Sequence, residues 1–220
     1  MQTRPNARLD GGDPHVEKHG HHGMPTTHLC RRCVEAQLTH RIRRVRAEDE
    51  AAIIAFAQGL PEHDLLFLGR DLRQPRVVRA WMRAIGSGRI DSIVAETDSG
   101  VLMGTAALVR DPLSWSAHVG EVRLLVGTGH RGAGIGRDML QAILAIAGGH
   151  GLEKLTAAMT TDQINSIVLF ESLGFRGEAR LKDQVRDPSG NPHDLVILAQ
   201  TMAQVGAKKK RADTAEPAAL

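Results

Sequence analysis

Residues Gly127 to Arg137 read Gly-Thr-Gly-His-Arg-Gly-Ala-Gly-Ile-Gly-Arg, and the fold of this 220-residue chain is decided there. Ahead of them Val119 to Val126 is a run of β-formers that predicts a strand. Behind them Asp138 to Ala147 sets Met139, Leu140, Ile143, Leu144 and Ile146 at helical spacing. A strand, a glycine-rich loop and a helix therefore follow one another. Such a loop leaves backbone N–H groups unpaired at a helix N-terminus, where the macrodipole is positive and glycine lets an anion come close. Each N–H held against a charged oxygen is worth about 1.5–3 kcal/mol, so a few of them form a cradle for a diphosphate. Two other nucleotide motifs fail on the letters. A P-loop requires Lys and then Ser or Thr after its last glycine, but Arg137 and Asp138 follow Gly136. A dinucleotide fingerprint built on Gly134 and Gly136 requires a small residue at 139, where Met139 stands. A bare strand-to-helix turn is the remaining alternative, and glycines spread from Gly127 to Gly136 exceed its needs.

Working outward, Ile42 to Arg46 alternates apolar and basic residues as a strand does, and Ala47 to Glu50 then put acids at the start of a helix reaching Gln58. Pro75 suits a first helical turn, and Val77, Val78, Trp81 and Ile85 follow at helical spacing. Ile90 to Thr97 and Val101 to Val109 are β-rich runs joined by Asp98, Ser99 and Gly100, a hairpin signal. Downstream, Lys154 to Met159 predicts a strand, and the helix after it ends in Leu169-Phe170-Glu171-Ser172-Leu173-Gly174-Phe175.

The segment Arg131-Gly132-Ala133-Gly134-Ile135-Gly136 resembles the Gln/Arg-x-x-Gly-x-Gly/Ala signature of the GNAT acetyltransferases. The strand Glu121 to Val126 ahead of it is similar to the family's fourth strand, and Leu169 to Phe175 is similar to its closing Leu-Tyr-x-x-x-Gly-Phe. The resemblance implies an α/β fold, counted as α+β in some schemes. It would be one domain with a central mixed, mostly antiparallel sheet flanked by helices, over 39–205. It implies N-acetyl transfer from acetyl-CoA as co-substrate to a primary amine by direct attack. The fourth and fifth strands would splay to admit the cofactor, with Leu125 and Val126 beside the thioester and Arg131, Gly132, Ala133, Gly134, Ile135, Gly136 and Arg137 around the pyrophosphate. A backbone N–H near Val126 would polarise the thioester carbonyl. Asn165 is a further expected cofactor contact, with Gln163 as its rival, and Phe170 would pack against the cofactor.

A lysine-like amine of pKa ~10.4 is only about 0.1% neutral near pH ~7.4, so a base or desolvation must free its lone pair. Glu121 is the candidate base, set by strand alternation on the same face as Arg123; a plain ion pair between the two is the competing reading. His118 and His130 are further titratable groups. Phe170 stands where the family has the tyrosine that protonates the leaving thiolate, and the chain has no tyrosine. A thiol of pKa ~8.5 still departs without an acid. The same departure supports an alternative, a catalytically silent acyl-CoA-binding domain.

Residues 1–38 are rich in Gly, Pro, Asp and His without apolar periodicity, which predicts a disordered arm; 206–220 predicts a disordered basic tail. His28, Cys30, Cys33 and His40 can be drawn as a zinc site, since Cys-x-x-Cys is a permitted spacing, but the other spacings are irregular and no metal is expected. A net charge of +3 gives no reason to expect nucleic acid. The absence of a long apolar run predicts no membrane span, and two cysteines make no secreted disulfide framework, so a cytoplasmic location is expected. Acceptor identity stays open between cations, for Asp64, Asp71, Asp183 and Asp187, and anions, for Arg70, Arg73 and Arg186. The amine can belong to a small molecule or a protein, and a homodimer is left open.

Overall fold

The computed structural model describes residues 40–202. Its elements run β1 (Arg41–Arg44), α1 (Glu50–Gln58), α2 (Pro75–Gly86), β2 (Ile90–Glu96), β3 (Leu102–Val109), β4 (Val119–Val126), α3 (Ile135–Gly149), β5 (Lys154–Thr160), α4 (Ile164–Ser172), β6 (Arg176–Arg186) and β7 (Pro192–Thr201). One sheet holds the strands in the order β1-β2-β3-β4-β5-β7-β6. The β4–β5 pairing is parallel and the others are antiparallel, which is the mixed, mostly antiparallel sheet expected.

Strand alternation splits the core into two layers. On one face Ile93, Ala106, Leu108 and Val122 meet the apolar stripe of α3, in which Ile135, Met139, Leu140, Ile143 and Ala147 are all buried. On the other, Val94, Leu102 and Leu125 pack with Ile53 and Ala57 of α1 and Val78 of α2. Neighbouring residues of β4 thus serve opposite layers: Val122 belongs to the first and Leu125 to the second.

Most element boundaries follow the sequence pattern, and the departures have local causes. The first strand stops at Arg44 rather than Arg46, because Arg46 takes an extended conformation, gives its amide to Asp49 Oδ2 at 2.7 Å and opens the 3₁₀ turn Ala47–Asp49. The charged stretch after α1 winds into the 3₁₀ helix Glu62–Leu68, closed by Gly69 at φ 63°. The third helix begins at Ile135, ahead of Asp138, because Gly134 turns the chain at φ 83°. Among the described residues no helix is long and apolar enough to cross a membrane. The arm, the basic tail and with them His28, Cys30 and Cys33 lie outside the described residues. His40 is described, and its Nε2 stands 3.0 Å from Asp138 Oδ2 of α3. Among the described residues no group of three His, Cys, Asp or Glu is arranged to hold a metal.

A charge cluster ties the first strand to the start of α1. Arg43 Nε and Nη2 donate to Glu96 Oε2 at 2.9 and 2.7 Å, while Nη1 and Nη2 reach the two oxygens of Asp49 at 2.7 and 2.9 Å. Arg41 Nε and Nη2 both donate to the other oxygen, Glu96 Oε1. Both carboxylates are buried. Arg43 holds them below the ordinary carboxylate range, helped by Arg41 at Glu96 and by the Arg46 amide at Asp49. Because their folded values are depressed, the stability they supply is present above their unfolded pKa of ~4 and is lost as the pH falls below it. Arg43→Ala removes the guanidinium the two buried acids share, leaving Glu96 only Arg41 and Asp49 only the Arg46 amide, and should cost about 3–5 kcal/mol in urea unfolding at neutral pH. The same variant should lose less additional stability than the native chain on acidification to pH ~3, as the linkage relation requires.

Candidate active site

The centre of the sheet comes apart. Val119, Gly120 and Glu121 of β4 pair with Lys154, Leu155 and Thr156 of β5, and the register goes no further. Beyond that point β4 stays bonded to β3 as far as Val126, and β5 stays bonded to β7 as far as Thr160. The facing edges therefore diverge, and the backbone groups that would have joined them open into a cleft of about 710 Å³. Val122, Leu124, Leu125 and Val126 form one wall and Ala158 and Met159 the other.

At the mouth of the cleft stands the glycine loop. Gly132 and Gly134 adopt φ of 80° and 83°, which a side chain would resist, and no atom lies within 4 Å of where their Cβ would be. No side chain caps α3. Among the described residues the amides of Arg131 through Gly136 have no hydrogen-bond acceptor, whereas Arg137 and Asp138 donate to Gly134 O at 2.9 and 3.1 Å. This is a concave row of N–H donors at the positive end of a 15-residue helix. At Gly136 a Cβ would stand 3.1 Å from Leu169 Cδ2, so glycine there also lets α4 approach.

Of the expected cofactor residues, Leu125, Val126, Arg131, Gly132, Gly134, Gly136, Arg137, Asn165 and Phe170 line the cleft. Ala133 and Ile135 do not. Ile135 is buried beneath the loop and Ala133 is exposed, and the amide of neither has an acceptor among the described residues. Arg131 folds back, with Nε 3.3 Å from Val126 O and Nη2 on Asp64 Oδ2, so it fastens the 3₁₀ helix Glu62–Leu68 to the loop. Arg137 Nη2 bonds Ser172 Oγ at 2.9 Å and braces the loop against α4. Gln163 Oε1 accepts the Thr160 amide at 3.3 Å, while the exposed Asn165 side chain makes no such bond. Phe170 is buried edge-on against Phe175, with ring centroids 5.0 Å apart.

Glu121 lies where β4 and β5 part, on the α1/α2 face by alternation with Leu125. Both of its oxygens take Arg123, at 2.8 Å from Nε and 3.0 Å from Nη2, and it does not line the cleft. His118 is exposed and also lies off the cleft. His130 lines it, with a buried Nδ1 that has no partner among the described residues. The structure adds a pair the sequence gave no sign of, His63 and Asp162. His63 Nε2 stands 2.8 Å from Asp162 Oδ2 and 3.4 Å from Thr160 Oγ1, and both residues line the cleft. Burial works against the Asp162 carboxylate, but hydrogen bonds from Thr160, its own amide and His63 outweigh it and hold its pKa below the ordinary value. The pair joins the 3₁₀ helix to the turn after β5, a long-range contact that no local spacing announces.

The charges left open by the sequence also find their places. Asp64 holds Arg131, Asp71 holds Arg73, and Asp187 holds Asn191 and His193. Arg73 also grips Glu62 at 3.0 Å, and Arg186 donates to Gly190 O at 2.9 Å. Asp183 is exposed on β6 and lines neither this cleft nor the second cavity considered below. Arg70 has no carboxylate partner among the described residues.

Solved structures with this architecture are numerous. A GNAT superfamily phosphinothricin acetyltransferase from Sinorhizobium meliloti, in complex with acetyl-CoA, superposes with a TM-score of 0.66 at 18% identity, covering 78% of this chain and 92% of that one. An N-acetyltransferase from Staphylococcus aureus Mu50 gives 0.66 at 20% identity, over 74% and 98%. A ribosomal-protein-alanine N-acetyltransferase from Brucella melitensis gives 0.63 at 22% identity, over 74% and 99%. At these identities the likeness is one of fold. Comparison with curated protein sequences gives no match. The sequence model of the acetyltransferase (GNAT) family, however, matches residues 66–175, which include α2, the parted β4 and β5, the donor loop and α4. The chain belongs to the GNAT acetyltransferase family.

Proposed function

We propose that this chain is an acetyl-CoA-dependent N-acetyltransferase that acts on a primary amine by direct attack. One observation carries the reading: the unpaired edge of β4 runs straight into the unpaired amides of Arg131 through Gly136. An amide-bearing pantetheine arm fits the strand edge as a further strand would, and a diphosphate fits the amide row. Acetyl-CoA bound to a neighbour of the same fold supports the choice of ligand. Phe170, Asn165 and Leu169 form the wall from α4.

The chemistry then follows from the strand. Leu125 and Val126 lie beside the thioester, and a backbone N–H there stabilises the oxyanion as the amine lone pair adds to the carbonyl carbon. The C–N bond forms, the C–S bond breaks, and the electrons of the latter leave on sulfur. The ammonium proton must be removed, and Glu121 is assigned this role. It shares a sheet face with Leu125 but stands four residues away, about 13 Å along the strand at ~3.3 Å per residue, so it acts through water. Arg123, which donates to both oxygens, holds the carboxylate in position. With no tyrosine in the chain and Phe170 in the cleft wall, the thiolate takes its proton from solvent. A second assignment of the base rests on His63, whose Nε2 is anchored by Asp162 inside the cleft.

Calorimetric titration of acetyl-CoA and thiol release with a panel of amines test these statements together. Gly134→Asp should abolish the binding heat, because its carboxylate enters the amide cradle; retained binding would exclude the loop as the diphosphate site. Glu121→Gln should bind acetyl-CoA as the native chain does and lose about 10²–10⁴-fold in kcat. If His63→Ala shows that pattern and Glu121→Gln does not, the base is His63. Tight binding with no thiol release from any amine would identify a silent acyl-CoA-binding domain.

A further inference from the structure

A second cavity, of about 560 Å³, opens on the other side of β4, under α2. Leu72, Val77, Trp81 and Ile90 give it apolar walls, and Leu125 lines both this cavity and the cleft. A molecule in the second cavity and a thioester in the first would thus meet across Leu125, on the face of β4 that also carries Glu121 and Arg123.

Four guanidinium groups converge on this cavity from separate parts of the chain: Arg70, Arg89, Arg110 and Arg123. Arg123 is neutralised by Glu121, and Arg110 gives Nη2 to Asp91 Oδ2 at 2.8 Å and to Gly88 O at 2.9 Å. The Nε–H of Arg110 is buried with no acceptor among the described residues, an arrangement proteins seldom leave without a ligand or water. Arg70 and Arg89 have no carboxylate partner among the described residues; Arg89 Nε has only Ser87 Oγ, at 3.1 Å. The one acid of the lining is Asp111, whose Oδ1 takes the Leu113 amide at 3.1 Å. Asp64, Asp71 and Asp187, the acids the sequence offers to a cationic acceptor, are engaged elsewhere. The cavity is apolar in body and carries an excess of positive charge, within the ~300–1,000 Å³ range of small-molecule sites.

We infer that this cavity is the acceptor site and that it selects a small amine which also carries an oxyanion, an α-amino acid being the simplest example. The inference rests on the acetyl transfer proposed above. Arg70 and Arg89 receive the carboxylate or phosphonate, and the apolar body lies against Trp81 and Val77. The amine is left at Leu125, where the acyl group is presented. A polyamine or a lysine side chain would bring a second positive charge among the guanidinium groups and is disfavoured.

The test compares three sets of acceptors with matched apolar bodies: α-amino acids, α-aminophosphonates and α-amino amides. Thiol release gives KM and kcat, and saturation-transfer NMR on the CoA-loaded protein reads acceptor binding without turnover. The oxyanion-bearing sets should have KM at least about tenfold below the amides, as charge-assisted hydrogen bonds to arginine predict. Arg70→Ala and Arg89→Ala should each remove about tenfold of that preference without changing the KM of the amides. Arg83→Ala, on α2 and outside the cavity, should change neither. Amides that bind as well as the acids, or arginine substitutions that weaken both sets equally, would overturn the inference. Absence of binding by all three sets would overturn it as well. Loss of acetyl-CoA binding itself strikes the earlier proposal instead, and the titration described there reads it separately.

Discussion

Every backbone N–H and C=O removed from water needs a partner, and the architecture turns on the one place where the sheet declines to supply it. After Glu121 and Thr156, β4 and β5 keep their outer neighbours and abandon each other. Through the wedge β4 remains packed from both layers, Val122 toward α3 and Leu125 toward α1 and α2. The cleft, its lining by Leu125 and the placement of the donor loop all follow from that wedge.

The loop continues the same logic into a helix. Gly134 starts α3 from a left-handed conformation and no side chain caps the first turn, so the amides that a capping residue would have satisfied are available to a ligand. An uncapped helix end normally weakens a fold. In this chain the cost is offset by five buried apolar residues along α3, which anchor the helix to the sheet whatever its first turn is bonded to.

The parts legible in the sequence are those written in contiguous residues. The strand Val119–Val126, the loop beyond it and the stripe Met139, Leu140, Ile143 were all readable, because local periodicity and glycine spacing record them directly. The start of α3 was misplaced by three residues, because Ile135, Gly136 and Arg137 contribute a first helical turn with the letters of a loop. Distant pairings were out of reach. His63 and Asp162 come from the 3₁₀ helix and the turn after β5, and the arginines of the second cavity come from four separate segments. Each reads in isolation as an ordinary surface residue, and only the tertiary contacts show that Asp64, Asp71 and Asp187 have partners of their own.

Arg131 ties the donor loop to the segment of chain that continues into the wall of the second cavity. It stands on the donor loop, yet its guanidinium holds Asp64, and the segment containing Asp64 runs on through Leu68 and Arg70 into the wall of the second cavity. A change in the charge around Arg131 is therefore felt at both ends of one short stretch of chain. Linkage makes such an effect reciprocal: by whatever factor one ligand tightens or loosens the other, the second acts on the first equally.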